Sequence, residues 1–142
     1  MNQVHSFSFG HLEFLNSYAI ITCNEGVNID FSEIEEIEIV THQVYKEQRF
    51  AMIANRKNHY SVNPFAIRRL FSNEKLFAGA IVGDNNITKA NAEYENNFVK
   101  EVPIRYFPDM HSAINWIKDM VMVSSNGSNL PKPDNSSYFD KP

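Results

Sequence analysis

Two runs without a single polar side chain constrain this chain most: Phe50-Ala51-Met52-Ile53-Ala54 and Leu76-Phe77-Ala78-Gly79-Ala80-Ile81-Val82. A strand with one wet face alternates apolar and polar residues. A short unbroken run instead reads as a strand covered on both faces. Between the two runs, Asn63-Pro64 supplies an N-cap followed by proline at the first helical position. Phe65, Ile67, Leu70 and Phe71 then form the face expected to turn inward. Buried strand, helix, buried strand is the β-α-β unit, in which the strands run parallel and the crossover is right-handed.

The flanking sequence extends this unit in both directions. Val4 to Phe9 alternates like a strand, Gly10-His11 is placed to turn, and Leu12 to Cys23 is a second apolar run, so an opening hairpin is expected. Asp30 and Glu33 have capping-box spacing, and Ile34, Ile37, Thr41 and Val44 follow on one helical face. The early acids Glu33, Glu35, Glu36 and Glu38 suit the positive end of that helix. After Gly83-Asp84-Asn85-Asn86 comes a polar helix, Ile87 to Val99, then a strand with Ile104-Arg105-Tyr106-Phe107 at its centre. Asp109 caps a last helix in which Met110, Ile114, Ile117 and Val121 face inward and Trp116 flanks them. The expected order is β-β-α-β-α-β-α-β-α: an α/β fold with a four- to five-stranded mixed sheet and about four helices.

A length of 142 residues suits one domain, placed at residues 1–122. Residues 123–142 read as a flexible tail, because they hold three of the six prolines and show no periodicity. No apolar run approaches the roughly 20 residues that span a bilayer, and the opening MNQVHSFSFG lacks a basic-then-apolar leader pattern. Cys23 is the single cysteine, which excludes an internal disulfide and points to a reducing cytoplasm. The net charge of −4 argues against nucleic acid as a partner.

That charge is unevenly spread. Residues 46 to 75 hold seven basic residues (Lys46, Arg49, Arg56, Lys57, Arg68, Arg69, Lys75) against Glu47 and Glu74, a balance of +5. The rest holds six basic and fifteen acidic residues, a balance of −9. The positive segment brackets one strand-to-helix joint, whose Asn55 falls at the carboxyl end of a central strand, where open α/β sheets bind ligands. Arg56 and Lys57 supply charge there, and arginine grips a carboxylate or phosphate with two bonds. Asn58, Tyr60 and Ser61 add polar contacts, Asn63 begins the helix, and Asp84 ends the neighbouring strand on the same edge. These residues are the candidate anion-binding or interaction site. Capping, turn formation and surface pairing are the ordinary alternatives for the same side chains.

Other chemistry finds little support. None of His5, His11, His42, His59 and His111 has paired ligand spacing, so no metal site is expected. No Gly-x-Ser-x-Gly elbow or glycine-rich phosphate loop occurs, no cofactor is implied, and an enzyme ranks last among the readings.

The segments Ile53 to Leu70, Phe77 to Asn85 and Arg105 to Ile117, with Ala113 and Trp116 as an Ala-x-x-Trp pattern, resemble an uncharacterised bacterial SpoIIAA-like family of STAS type. The likeness spans about residues 12 to 121. It implies a STAS fold and a non-enzymatic cytoplasmic module that regulates by contact with an unidentified protein partner. In some members a Ser or Thr at the helix start after a central strand is phosphorylated. The hydroxyl at the matching turn here is Ser61, although the family's Asp-Ser-Ser/Thr-Gly type of motif is absent. Relatives of the fold resembling lipid-binding CRAL-TRIO domains supply the alternative: a carrier of a small anionic or acyl ligand near the Asn55–Asn63 loop. That alternative requires an apolar pocket beside the loop. Homodimerisation through the edge of the opening hairpin is a further expectation.

Overall fold

The β-α-β unit forms where the apolar runs place it. The computed structural model describes residues 3–83, 89, 90, 93, 99 and 102–125. Strands β1 (Gln3–Phe7), β2 (Gly10–Phe14) and β3 (Tyr18–Cys23) open the chain. The short β4 (Asn28–Ile29) leads into α1 (Phe31–Tyr45) and β5 (Phe50–Asn55). The short β6 (Ser61–Val62) precedes α2 (Pro64–Leu70) and β7 (Leu76–Val82), and β8 (Ile104–Phe107) and α3 (Met110–Ser125) close the fold. The main sheet has order β1-β2-β3-β5-β7-β8, antiparallel over its first three strands and parallel from β3 to β8.

Three features differ from the sequence reading. The run Leu12 to Cys23 is two strands, because the chain reverses at Asn16-Ser17, where Leu15 N donates to Tyr18 O at 2.9 Å. The opening is therefore a three-stranded meander, and the main sheet has six strands rather than four to five. The first reversal falls at Ser8-Phe9, and Gly10 already belongs to β2. Gly10 has φ 157°, and a Cβ there would overlap the Thr22 carbonyl oxygen and stand 2.8 Å from Cys23 Cα. Glycine thus serves close strand approach at this position, not a turn. The third difference is a separate ribbon of β4 and β6, too short to leave a periodic signal.

Two cores sandwich the sheet. On one face Leu12, Ile21, Met52, Leu76 and Ile104 pack against Ile34 and Ile37 of α1 and Leu70 of α2. On the other, Ala51, Ile53, Ala78, Ala80 and Phe107 pack against Ala113 and Ile117 of α3. A register shift in the β5–β7 pairing sets Phe50 opposite Leu76 but Ala51 opposite Ala78, so Phe77 and Ala78 both join the α3 core. In α2 the inward face is Ala66 and Leu70, with Ile67 beside them; Phe65 is 56% exposed, correcting its expected place in the core. Lys89, Ala90 and Glu93 are helical, while most of the expected Ile87–Val99 helix and the sequence beyond Ser125 lie outside the described residues. Among the described residues, no helix is long and apolar enough to cross a membrane.

Candidate functional site

Strands β3 and β5 end side by side, and each hands the chain to a loop followed by a ribbon strand. The two loops zip together: Gly26 N donates to His59 O at 2.7 Å, Ser61 N to Val27 O at 3.0 Å and Asn63 N to Ile29 O at 2.8 Å. Side chains reinforce the zip. Ser61 Oγ donates to Asn28 Oδ1 at 2.8 Å, and Asn58 Nδ2 donates to Cys23 O at 2.8 Å.

The zip ends at two helix caps. Asp30 forms the expected capping box, with Asp30 N donating to Glu33 Oε1 at 2.8 Å. Asn63 Oδ1 accepts from Phe65 N at 3.0 Å, and Asn63 Nδ2 donates to Asp30 Oδ1 at 3.0 Å. The start of α2 is thereby tied to the start of α1. The Asn63 bond first, and the Phe31 amide second, hold the Asp30 carboxyl below its usual range. The Asp30 amide does the same for Glu33. Phe31 and Phe65, the exposed aromatics at these helix starts, are 42% and 56% accessible.

Under this double arch lies a cavity of about 70 Å³. Its walls come from the sheet (Ile21, Met52, Ala54, Ile81, Ile104), from α1 (Ile34, Ile37), from α2 and its C-cap (Ile67, Leu70, Phe71) and from the ribbon (Ile29, Val62). Gly79 contributes a gap: a Cβ there would stand 2.6 Å from Phe71 Cζ, so only a bare strand accepts that ring. The polar lining among the described residues is Cys23, Arg56 and Tyr60, with Arg56 its one charged member.

Arg56 is 8% exposed. Its amide continues the ladder past β5 by donating to Val82 O at 2.9 Å. Its Nη2 donates to Tyr60 O at 3.2 Å, and its Cζ lies 4.6 Å from the Tyr60 ring centroid. Burying a charge is costly without compensation, and a desolvated cation over an aromatic face recovers about 2 kcal/mol. Cys23 is buried and shares a side-chain hydrogen bond with Tyr60. Burial pushes its pKa up to about 11, outweighing the Tyr60 bond and the nearby Arg56 charge. At neutral pH the group is a protonated thiol, and the thiolate is the nucleophile.

The structure divides the sequence candidates. Arg56 and Tyr60 meet at the cavity. Asn55 ends β5 opposite Val82, and Asn58 pins the loop to β3. Ser61 and Asn63 serve the zip and the cap, Lys57 is exposed, and Asp84 lies outside the described residues. The basic segment does not converge on one joint, which corrects the expectation drawn from its charge. Lys46, Arg49 and Lys75 sit at the opposite end of the strands, where Lys75 Nζ lies 3.5 Å from Glu47 Oε2, and Arg69 pairs with Glu38 at 3.1 Å. Charge counted along the chain ignores that a β-α-β unit alternates between two sheet edges. Of the ribbon residues only Ser61 was singled out from sequence, and Asn28, Ile29, Val62 and Gly79 were not; a glycine inside a bulky buried run was the available signal for the last.

Among solved structures, the chain is similar to the crystal structure of an uncharacterized protein from the DUF3478 family with a SpoIIAA-like fold, from Shewanella loihica PV-4. The TM-score is 0.53 at 10% sequence identity, covering 82% of this chain and 92% of that one. No protein family matches the sequence, and neither does any curated protein. At this identity the likeness establishes the fold: the chain has a SpoIIAA-like α/β fold.

Proposed function

We propose that this protein is a binding module rather than an enzyme, and that a small ligand with an apolar body and an anionic group occupies the cavity beside the Asn55–Asn63 loop. The observation that carries the reading is an almost wholly apolar cavity with the buried Arg56 among its lining residues. Apolar walls favour a hydrocarbon body, and a few placed polar groups orient it. The raised pKa of Cys23 weighs against the one nucleophile at the site. The test is native mass spectrometry of the protein purified gently from its own host, repeated under denaturing conditions. A noncovalent adduct, lost on denaturation and absent from Ala54→Leu, is the expected result. A bare wild-type mass would overturn the reading.

A second reading, a STAS-type regulatory module acting through protein contact, draws on Phe31 and Phe65, exposed at two helix starts that are tied together. In it the partner covers this end of the domain, and phosphorylation of Ser61 would break its bond to Asn28 and loosen the face. Ser61→Asp is then expected to change the proteins recovered in a pull-down while leaving the melting curve two-state. Identical partners would count against this reading.

A further inference from the structure

Six large apolar side chains are exposed among the described residues, and three of them, Phe31, Ile39 and Phe65, lie on α1 and α2. Exposed apolar groups gathered on one face mark a contact surface. The two helices lie side by side and point the same way. Asn63 ties their starts together at Asp30, and farther along Arg69 Nη2 meets Glu38 Oε1 at 3.1 Å. With Ile34, Ile37 and Thr41 turned inward, Glu35 and Ile39 are left facing out on α1. With Ala66 and Leu70 turned inward, Arg68 is left facing out on α2. Neither Glu35 nor Arg68 has an ion-pair partner among the described residues. One helix thus offers an acid and an apolar group, and its neighbour offers a base and an aromatic ring.

We infer that a second copy of this chain covers this face, about a two-fold axis that sets α1 of one protomer against α2 of the other. Such a contact must be self-complementary, because the same patch is used on both sides. The spacing along the helices satisfies this. Glu35 and Arg68 each come four residues after the first residue of their helix, so both stand about 6 Å along from the tied starts. Ile39 stands about 12 Å along. An axis crossing at the level of Glu35 and Arg68 reverses the second copy end for end. It leaves Glu35 level with the partner's Arg68 and brings Ile39 level with the partner's Phe31 and Phe65. Each ion pair then occurs twice, flanked by apolar contacts. A uniformly acidic partner would meet Glu35, and a uniformly basic one would meet Arg68, with like charges opposed in either case. A second copy presents both signs in the reverse order.

The experiment is sedimentation equilibrium of the full chain from about 1 to 500 µM. Wild type is expected to pass from monomer to dimer over this range. Glu35→Arg and Arg68→Glu are exposed substitutions that should leave the melting curve two-state. Each opposes like charges twice across the contact and is expected to weaken dimerisation about tenfold or more. An equal mixture of the two variants is expected to dimerise again, because each supplies the charge that the other lacks. Should a charge reversal disturb folding, the exposed Ile39→Ser serves instead, with about a tenfold loss expected. A wild-type chain that stays monomeric would overturn the inference. So would a dimer that both reversals leave intact, which would place the contact elsewhere, such as the open edge of β1. A mixture no more associated than its separate components would overturn it as well.

Discussion

The two faces of the sheet are covered in different ways. The α3 face sets Ala51, Ala78 and Ala80 of the strands and Ala113 of the helix among Ile53, Phe77, Phe107 and Ile117, and one long helix covers it. The α1/α2 face is covered by a helix of 15 residues, a helix of seven and a two-residue ribbon. Three covering elements meet over one surface, and Gly79 deepens the surface beneath them. The cavity sits at that junction. Small side chains therefore need not produce empty space; a seam between several covering elements does.

Substitutions can break this comparison. The largest effect is expected on the α3 face, where Ile117→Ala or Ile53→Ala, each fully buried, should cost about 3–5 kcal/mol in urea unfolding. Ile37→Ala, on the cavity wall, should cost about 2–3 kcal/mol, because that side chain already borders unfilled space. Equal costs would mean that the two faces are equally well packed. Next comes Gly79→Ala, whose new methyl must displace the Phe71 ring; about 1–3 kcal/mol is expected from the melting midpoint. The opposite sign is expected for Ala54→Leu, which fills the seam and should raise stability by up to about 1 kcal/mol. A large loss there would show that the cavity wall does not yield.

The smallest effect concerns acid, and here the faces should behave alike. The Asn63 bond lowers the Asp30 pKa on the α1 side, and the Ser112 amide lowers that of Asp109 on the α3 side. A carboxyl depressed in the folded state takes up its proton more readily when the chain unfolds. Its contribution is therefore present above the ordinary carboxylate range, near pH 4, and is lost as pH falls through the folded value. Melting midpoints should thus decline below about pH 4. Asp30→Asn and Asp109→Asn should each flatten that decline, and an unchanged slope in one variant would show that its cap carries no such linkage.

How much of this was legible in the sequence depends on how local the cause is. The bounds Leu76–Val82, the Asp30–Glu33 box and the Asn63 and Asp109 caps are set by neighbours within a few residues, and all stand as read. The break at Asn16-Ser17 lay hidden inside an apolar run because a two-residue reversal leaves little compositional trace. Phe65 misled because an apolar residue in the first turn of a short helix carries no periodic information about its direction. Arg56 could be singled out as a charge at a strand end. Its burial, and the dispersal of the other basic residues to the far edge, follow from long-range topology.

The arch over the cavity joins segments 33 residues apart in the chain, as the Ser61–Asn28 and Asn63–Asp30 bonds record. Such bonds reward the chain only after α1 has formed and β5 has docked beside β3, because the loop between them must close first. The arch is accordingly expected to open at lower free energy than the strands beneath it. The amides of Gly26, Ser61 and Asn63 should exchange with deuterium well before those of β5, because an opening confined to the arch leaves the sheet folded.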